Sequence, residues 1–485
     1  MIEFIIKLHP EIVIKSNSVR KRQTKLLERN LKNILAQVDA AVRVSNNFDH
    51  LTVRCDSSSV ELRQKLIDRL SCIPGIVNFS EMQSSQFTTL DDIYQQVKAV
   101  YASQLDNKTF CVRVRRMGHH DFSSIEAERY IGGGLNQLVA SAKVQLKKPD
   151  LTVNLEIKRD LLLMVRQTHA GMGGFPLPSQ SDALSLISGG YDSAVASYLM
   201  IRKGLRTHYV FFNLGGAAHE AGVREMAHLI WHKYSLSHKV KFVSVNFAPV
   251  VDEILEKIDN GLMGVVLKRM MMRAASTVAE NLGIKAIVTG ESIGQVSSQT
   301  IANLNAIDRV TDMLILRPLI YHDKQQIIDI AKQIGAEDIA KSMPEYCGVI
   351  SRKPTINAVL SEVLANEENF DFSVLDNAVQ QAKVLDIRTI DYQADQQAHI
   401  VSELSELPAK SIVLDIRAPE ETDLKPLQLA DIEIIELPFF RLQSQFSTLD
   451  QTKQYYFYCD QGVMSRLQAL VMQEQGFSNI AVYRP

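Results

Sequence analysis

Two short stretches of this chain place reactive groups where chemistry needs them. In SLISGGYDSAVASYLM, residues 185–200, an apolar strand passes through a Ser-Gly-Gly turn straight into a helix that opens on Tyr-Asp-Ser. Glycines let backbone N–H groups approach an anion, and the first turn of a helix offers unpaired N–H groups and a positive dipole end. Ser188, Gly189, Gly190, Asp192 and Ser193 therefore have the form of a phosphate or pyrophosphate cradle. The stretch lacks the lysine and the longer loop of G-x-x-x-x-G-K-[ST], and a tight turn without a ligand is the plainer account of the same residues. In YYFYCDQGVMSR, residues 455–466, Cys459 follows an aromatic strand and precedes a polar loop and a helix start. A thiol facing backbone N–H groups at a helix end is stabilised as thiolate or persulfide anion, whereas one turned inward is inert core.

Other candidates are scattered between these two. KAIVTGESIGQVSSQT, residues 285–300, puts Gly290 at a strand end and Gln295 and Gln299 on the following loop, where open α/β sheets bind ligands. ILRPLIYHDKQQI adds Arg317 and Lys324 as counter-charges for phosphate, or as ordinary surface cations. A methionine-rich helix carries Lys268 and Arg269; methionine at helical spacing reads as core. In CVRVRRMGHHDFSS, valines alternate with Arg113 and Arg115, with Arg116 next to them, which suits either a phosphate-facing row or a charged edge strand. The five cysteines form no CxxC pair, which argues against a disulfide framework and a zinc site; no protein-built metal site is expected. Cys55, Cys72 and Cys111 read as core, while Cys347 lies in a loop, MPEYCGVISRKPT, between Pro344 and Gly348.

Elements able to position these residues follow from periodicity. At 485 residues and 46% hydrophobic the chain should form several domains. Its apolar runs are too short to span a bilayer and no export segment is apparent, so a cytoplasmic protein without membrane contact is expected. Residues 1–175 hold 25 Lys and Arg against 18 Asp and Glu, and residues 356–485 hold 9 against 20; the front half is the side that suits nucleic acid, although on counts alone this imbalance reads as ordinary solvated surface. Residues 1–60 read as a small α+β, ferredoxin-like unit and 61–170 as a second α+β unit; a Gly/Pro loop, GMGGFPLPSQ, closes them. Strands alternating with helices over 176–390 predict a doubly wound parallel sheet. Acidic helices from about residue 361 lead to a Gln-rich linker at 391–403 and a last small α/β unit at 404–485.

SGGYDS resembles the signature of the ATP pyrophosphatases, which cleave ATP between its α and β phosphates and form adenylated substrates. The whole order, including FNLGGAAHE, LKRMM, GQVSSQT, MPEYCGVIS and VMSRLQAL, is similar to the family of tRNA sulfurtransferases that make 4-thiouridine at position 8 of tRNA. That resemblance implies an α/β multidomain chain: a ferredoxin-like domain, a THUMP RNA-binding domain, an ATP pyrophosphatase domain and a rhodanese-like domain. It implies ATP contacts at Leu186, Ile187, Lys268, Gly290 and Gln299 beside the SGGYDS residues, magnesium with Asp192, and no tightly bound prosthetic group. It also implies that Cys459 carries a persulfide loaded by a cysteine desulfurase and that Cys347 ends in a disulfide with it, which a reductant must reopen. The separation of 112 positions between these cysteines crosses the linker, so that chemistry requires the last domain to move. The resemblance departs at Met464, where the commonest rhodanese pattern has arginine, so thiosulfate:cyanide activity is not implied. Sulfur supply to a carrier protein for thiazole synthesis is a further implied role. An ATP pyrophosphatase acting on a small molecule is the alternative, weakened by the sulfur-carrying loop; a non-catalytic RNA-binding protein would leave SGGYDS and Cys459 without a purpose.

Overall fold

The computed structural model describes every residue except 48–49, 215, 344–353, 391–401, 409, 418, 431 and 461–462. It divides into a unit of Met1–Ser179 and a unit of Gln180–Pro485. In the first, β1 (Ile2–Leu8), β2 (Arg43–Asn46), β3 (Leu51–Cys55) and β4 (Ile76–Gln86) form the order β2-β3-β1-β4, with β1 antiparallel to both β3 and β4. Helices Asn17–Leu35 and Val60–Ser71 complete the βαββαβ pattern of a ferredoxin-like unit. The first fold unit thus runs past residue 60, because helix Val60–Ser71 and β4 close it. On the far edge of β4 the sheet continues through β5 (Thr109–Met117), β6 (Lys143–Val144), β7 (Leu151–Lys158) and β8 (Leu161–Ala170) in the order β8-β7-β5-β6. Helices Leu90–Tyr101 and Ser124–Leu138 each begin with a capping box, Thr89 with Asp92 and Ser123 with Glu126. Reciprocal side-chain bonds to the free N–H groups of the first turn fix where these helices start.

The second unit holds two sheets. β9 (Ala183–Leu186), β10 (Thr207–Asn213), β11 (Lys241–Asn246), β12 (Ala286–Val288), β13 (Leu314–Leu316) and β14 (Lys383–Asp386) take the order β13-β12-β9-β10-β11-β14. All neighbours are parallel except β14, which runs antiparallel to β11. The parallel core matches the sequence expectation, while β14 was expected as part of a helical and linker stretch. Its four residues acquire strand structure by pairing with β11, a partner about 140 positions away that local periodicity does not reveal. β15 (Glu403–Leu404), β16 (Ile412–Asp415), β17 (Glu433–Glu436), β18 (Tyr455–Tyr458) and β19 (Ile480–Tyr483) form a five-stranded, wholly parallel sheet ordered β15-β19-β18-β16-β17. Most of the expected linker lies outside the described residues. No helix among the described residues is long and apolar enough to cross a membrane.

The core of the six-stranded sheet contains Met263, Met270, Met271 and Met272 from helix Met263–Asn281, in keeping with the packing role read from their spacing. The same helix buries Arg269, 1% exposed, against Glu367, which it meets through Nε and Nη2, and against the carbonyl of Ala306. Arg273 reaches the same carboxylate at 3.2 Å. A buried guanidinium left without its counter-charge is strongly unfavourable, so Glu367→Ala should lower stability by about 3–5 kcal/mol. Calorimetry would show this as an earlier thermal transition; an unmoved midpoint contradicts it.

Candidate functional site

Both reactive loops stand where their sheets reverse strand order. β9 is followed in space by β10 and β11 on one side and by β12 on the other, so the crevice between β9 and β12 is a topological switch point, the place where open parallel sheets bind ligands. Leu186 ends β9, Ile187 follows with its N–H on the Val210 carbonyl at 2.9 Å, and the chain turns through Ser188, Gly189 and Gly190. Gly189 adopts φ +80°, a conformation that a side chain would strain. Gly190 caps helix Tyr191–Arg202 without a side-chain hydrogen bond, leaving the first N–H groups for an anion. Ser193 braces the turn: its hydroxyl accepts from Ser188 N at 3.1 Å and donates to the Gly190 carbonyl at 3.2 Å.

Asp192 collects partners from two other segments. Lys324 Nζ lies 3.0 and 3.2 Å from its carboxylate oxygens, and Gln295 Nε2 donates to Oδ2 at 2.9 Å. Lys324 also stands 5.7 Å from the Tyr191 ring centroid. Gly290, at the end of β12, backs directly onto this turn; a Cβ there would come within 2.7 Å of the Asp192 carbonyl carbon and 2.9 Å of Ser193 N. Gln299 is buried and accepts from Ser292 N at 3.2 Å, closing the loop that presents Gln295. The turn, Asp192, Gly290, Gln295 and Lys324 thus come together at one place. Lys268 is half-buried on its helix, and among the described residues it has no ion-pair partner.

Three expectations need correction. Arg317 is not a cation open to phosphate: its Nε donates to Glu291 at 2.8 Å and its two terminal nitrogens to Asp308 at 2.9 and 2.5 Å. Two carboxylates already neutralise it. Arg113, Arg115 and Arg116 do not form one row either. Arg113 is engaged by the Leu146 carbonyl at 3.0 Å and by Glu128 at 3.8 Å, and Arg116 turns toward His120 and stands 5.9 Å from the Phe122 ring centroid. Arg115 alone stays exposed without such a partner among the described residues. Cys72 is half-buried at a helix C-cap rather than fully core, whereas Cys55 and Cys111 are buried.

Sequence reasoning assigned no role to His219, which is buried in helix Gly216–Tyr234 and hydrogen-bonds the backbone of Ser188. The signal was its place one turn into the helix after β10, the immediate neighbour of β9. Burial pushes its pKa down to about 4, against the pull of the Ser188 contact. The unfolded chain takes up this proton near the ordinary value of 6.5, so acidification from 6.5 toward 4 favours the unfolded state and stability falls. His219→Gln should flatten the dependence of the unfolding midpoint on pH in this interval; an unchanged slope would show that other groups govern it.

The second loop occupies the switch point between β18 and β16. Cys459, directly after β18, is 8% exposed; Ser465 N donates to its sulfur at 3.3 Å and Ser465 Oγ lies 3.4 Å away. Helix Val463–Glu474 thus turns a first-turn N–H onto the sulfur. Beneath the loop, Arg417 is buried, paired with Asp415 through Nε and Nη2 and with Asp460 at 3.2 Å, over the Tyr458 ring. The Tyr458 hydroxyl and then the Arg417 charge hold the Asp460 carboxyl below its ordinary range. Gly462, the side chain of Met464, and Cys347 with its flanking Pro344 and Gly348 lie outside the described residues. Among the described residues no cluster of His, Cys, Asp and Glu could hold a metal by itself.

Three family models match the chain: ThiI ferredoxin-like domain over residues 3–80, THUMP domain over 87–165, and Thiamine biosynthesis protein (ThiI) over 178–372. A protein of Tolumonas auensis named tRNA sulfurtransferase is 59% identical over 482 residues, covering 99% of each chain. One of the same name from Colwellia psychrerythraea is 56% identical over 483 residues and covers 100% of both. Among solved structures, a 4-thiouridine synthetase in complex with RNA and ATP superposes with a TM-score of 0.67 at 23% identity, covering 80% of this chain and 99% of that one, which establishes a shared fold.

Proposed function

The chain belongs to the tRNA sulfurtransferase family and is an enzyme of that kind, and from this premise we propose that it makes 4-thiouridine in tRNA by activating uridine with ATP and replacing oxygen with sulfur carried on Cys459. The observation that carries this reading is the coexistence of two anion-ready loops, each at the switch point of its own parallel sheet, one suited to pyrophosphate and one to a sulfur anion.

In the first step the uridine C4 oxygen attacks the α-phosphorus of ATP, the α–β bond breaks, and pyrophosphate leaves into the N–H groups of Gly189, Gly190 and the following helix turn, beside the Ser188 hydroxyl. Asp192 is the carboxylate at this loop. A single carboxylate beside substrate phosphates fits magnesium, which takes one or two protein carboxylates and completes its shell with phosphate and water; when bound, it would neutralise phosphate charge. Lys324 is the adjacent cation, and Leu186, Ile187, Ser193, Lys268, Gly290 and Gln299 complete the ATP contacts. In the second step the terminal sulfur of a Cys459 persulfide attacks C4 and AMP departs. Cys347 thiolate then attacks Cys459 Sγ, the S–S bond breaks, sulfur stays on C4, and a Cys347–Cys459 disulfide remains. A thiol reductant supplies two electrons and two protons to restore both thiols.

A cysteine desulfurase is the donor that loads Cys459, and residues 404–485 act as a rhodanese-like carrier. Residues 1–170, the ferredoxin-like unit and the α+β unit after it, grip tRNA by shape and phosphate charge, as structured RNA is read. The name of the matching family, a thiamine biosynthesis protein, favours a second role: passing the same sulfur to a carrier protein for thiazole synthesis. Nucleoside mass spectrometry of unmodified tRNA incubated with the protein, ATP, magnesium, cysteine and a desulfurase tests the main reading. The expected product is 4-thiouridine that depends on both ATP and cysteine; its absence under these conditions sinks the proposal.

A further inference from the structure

The loop after β13 carries an aromatic side chain to which the reading above gives no task. Tyr321 is 80% exposed, and its hydroxyl makes no hydrogen bond among the described residues. One side of its ring rests on the His322 imidazole, with ring centroids 4.4 Å apart and 31° between the planes. Single exposed apolar groups are ordinary on a protein surface, but the backbone that bears this one is held on both sides. Ile293 N donates to the Ile320 carbonyl at 3.2 Å, and Ser292 Oγ donates to the His322 carbonyl at 2.7 Å, so the loop after β12 is stitched to the residues flanking Tyr321. A capping box between Asp323 and Gln326 then fixes the start of helix Lys324–Ile334. Lys324, the first residue of that helix, and Gln295, from the stitched loop, both end on Asp192. Ile293 and Val296, close to Gln295 in the chain, are 51% and 49% exposed. The rim beside Asp192 is therefore apolar and aromatic as well as charged.

We propose that Tyr321 is the stacking platform for the target uridine, the base whose C4 oxygen must lie beside the α-phosphate of ATP. An enzyme that acts on a base takes it out of its stack and replaces the lost contacts with aromatic or apolar side chains of its own. A tyrosine ring does this for any base, because every base has a π-face. Stacking also leaves the edge of the base, where the C4 oxygen stands, free to face the phosphates. The place of Tyr321 favours a base of RNA over the adenine of ATP. Leu186 and Ile187, read as ATP contacts, end and follow β9 in the interior of the sheet, and Ile187 is buried. Tyr321 follows β13, the edge strand, with β12 between them. A base stacked there enters from the open edge of the sheet, as a nucleotide extruded from a large RNA does.

This inference rests on the reading that the protein activates a uridine of tRNA with ATP. The test uses the full-length protein in single turnover with tRNA and ATP, both saturating. Tyr321→Ala should slow tRNA-dependent pyrophosphate release about tenfold or more, the scale on which alanine in place of a base-stacking aromatic acts. Its dissociation constants for ATP and for tRNA should each stay within about twofold of wild type, and its thermal midpoint should not move, since the side chain is exposed. Tyr321→Phe should recover most of the rate because the hydroxyl is unused. A second measurement locates the base: tRNA carrying 4-thiouridine at position 8, irradiated at long wavelength in complex with the wild-type protein, should crosslink to the peptide that contains Tyr321. Weakened ATP binding in Tyr321→Ala would assign the ring to adenine and overturn the proposal. An unchanged rate, a loss that phenylalanine does not recover, or crosslinks confined to other peptides would overturn it as well. Failure of the underlying reading is seen separately, as a wild-type protein that releases no pyrophosphate in response to tRNA.

Discussion

Cys459→Ser is expected to release pyrophosphate from ATP at the wild-type rate in the presence of tRNA while its 4-thiouridine production falls by about 10³-fold or more, as removal of an essential nucleophile does. A hydroxyl is nearly the size of a thiol and accepts the same hydrogen bond from Ser465 N, so the loop keeps its shape. What is lost is the capacity to bear a second sulfur atom. In the proposed mechanism adenylation takes place at the loop after β9 and does not use that atom. The variant therefore separates the two half-reactions, with loss of thiolated tRNA alone as the expected pattern. Retained 4-thiouridine would mean that sulfur reaches uridine by another path, and loss of both steps would mean that Cys459 supports the structure rather than the transfer.

Asp192→Ala should produce the opposite pattern. Its carboxylate receives Lys324 and Gln295, which come from two separate segments, and in the proposed mechanism it is the acidic group beside the departing pyrophosphate. Without it, Lys324 loses its anchor and the phosphates lose an organised charge environment. Loss of a preorganised electrostatic group of this kind costs about 10²–10³ in rate, read as tRNA-dependent pyrophosphate release. Loading of Cys459 with persulfide by a desulfurase should proceed as in the wild-type protein. Adenylation retained at the wild-type rate would defeat the assignment of this loop.

How far the sequence reaches is clear from particular residues. The strand, turn and helix start around SGGYDS and around Cys459 were legible because they are adjacent in the chain. The parallel core strands were legible from alternation with helices, and the methionines of helix Met263–Asn281 from helical spacing. Arg317 was misread because its two carboxylates, Glu291 and Asp308, come from other segments and decide whether its charge is available. The arginines of β5 were misread for a related reason: alternation along a strand assigns a face, but Glu128 and His120 decide which guanidiniums remain open on it. β14 depends on pairing with β11, which exists only in the folded chain. Local pattern thus located the loops, and long-range partners decided the surrounding charges and contacts.

The central claim is that one chain passes sulfur from Cys459 to a uridine it has activated with ATP. Its most direct test loads Cys459 with a heavy-isotope persulfide, removes the donor, and adds tRNA and ATP for a single turnover. Heavy sulfur should appear in 4-thiouridine in step with its loss from the Cys459 peptide, and only when ATP is present. Label that stays on the Cys459 peptide while unlabelled 4-thiouridine accumulates, or that transfers equally without ATP, contradicts the account.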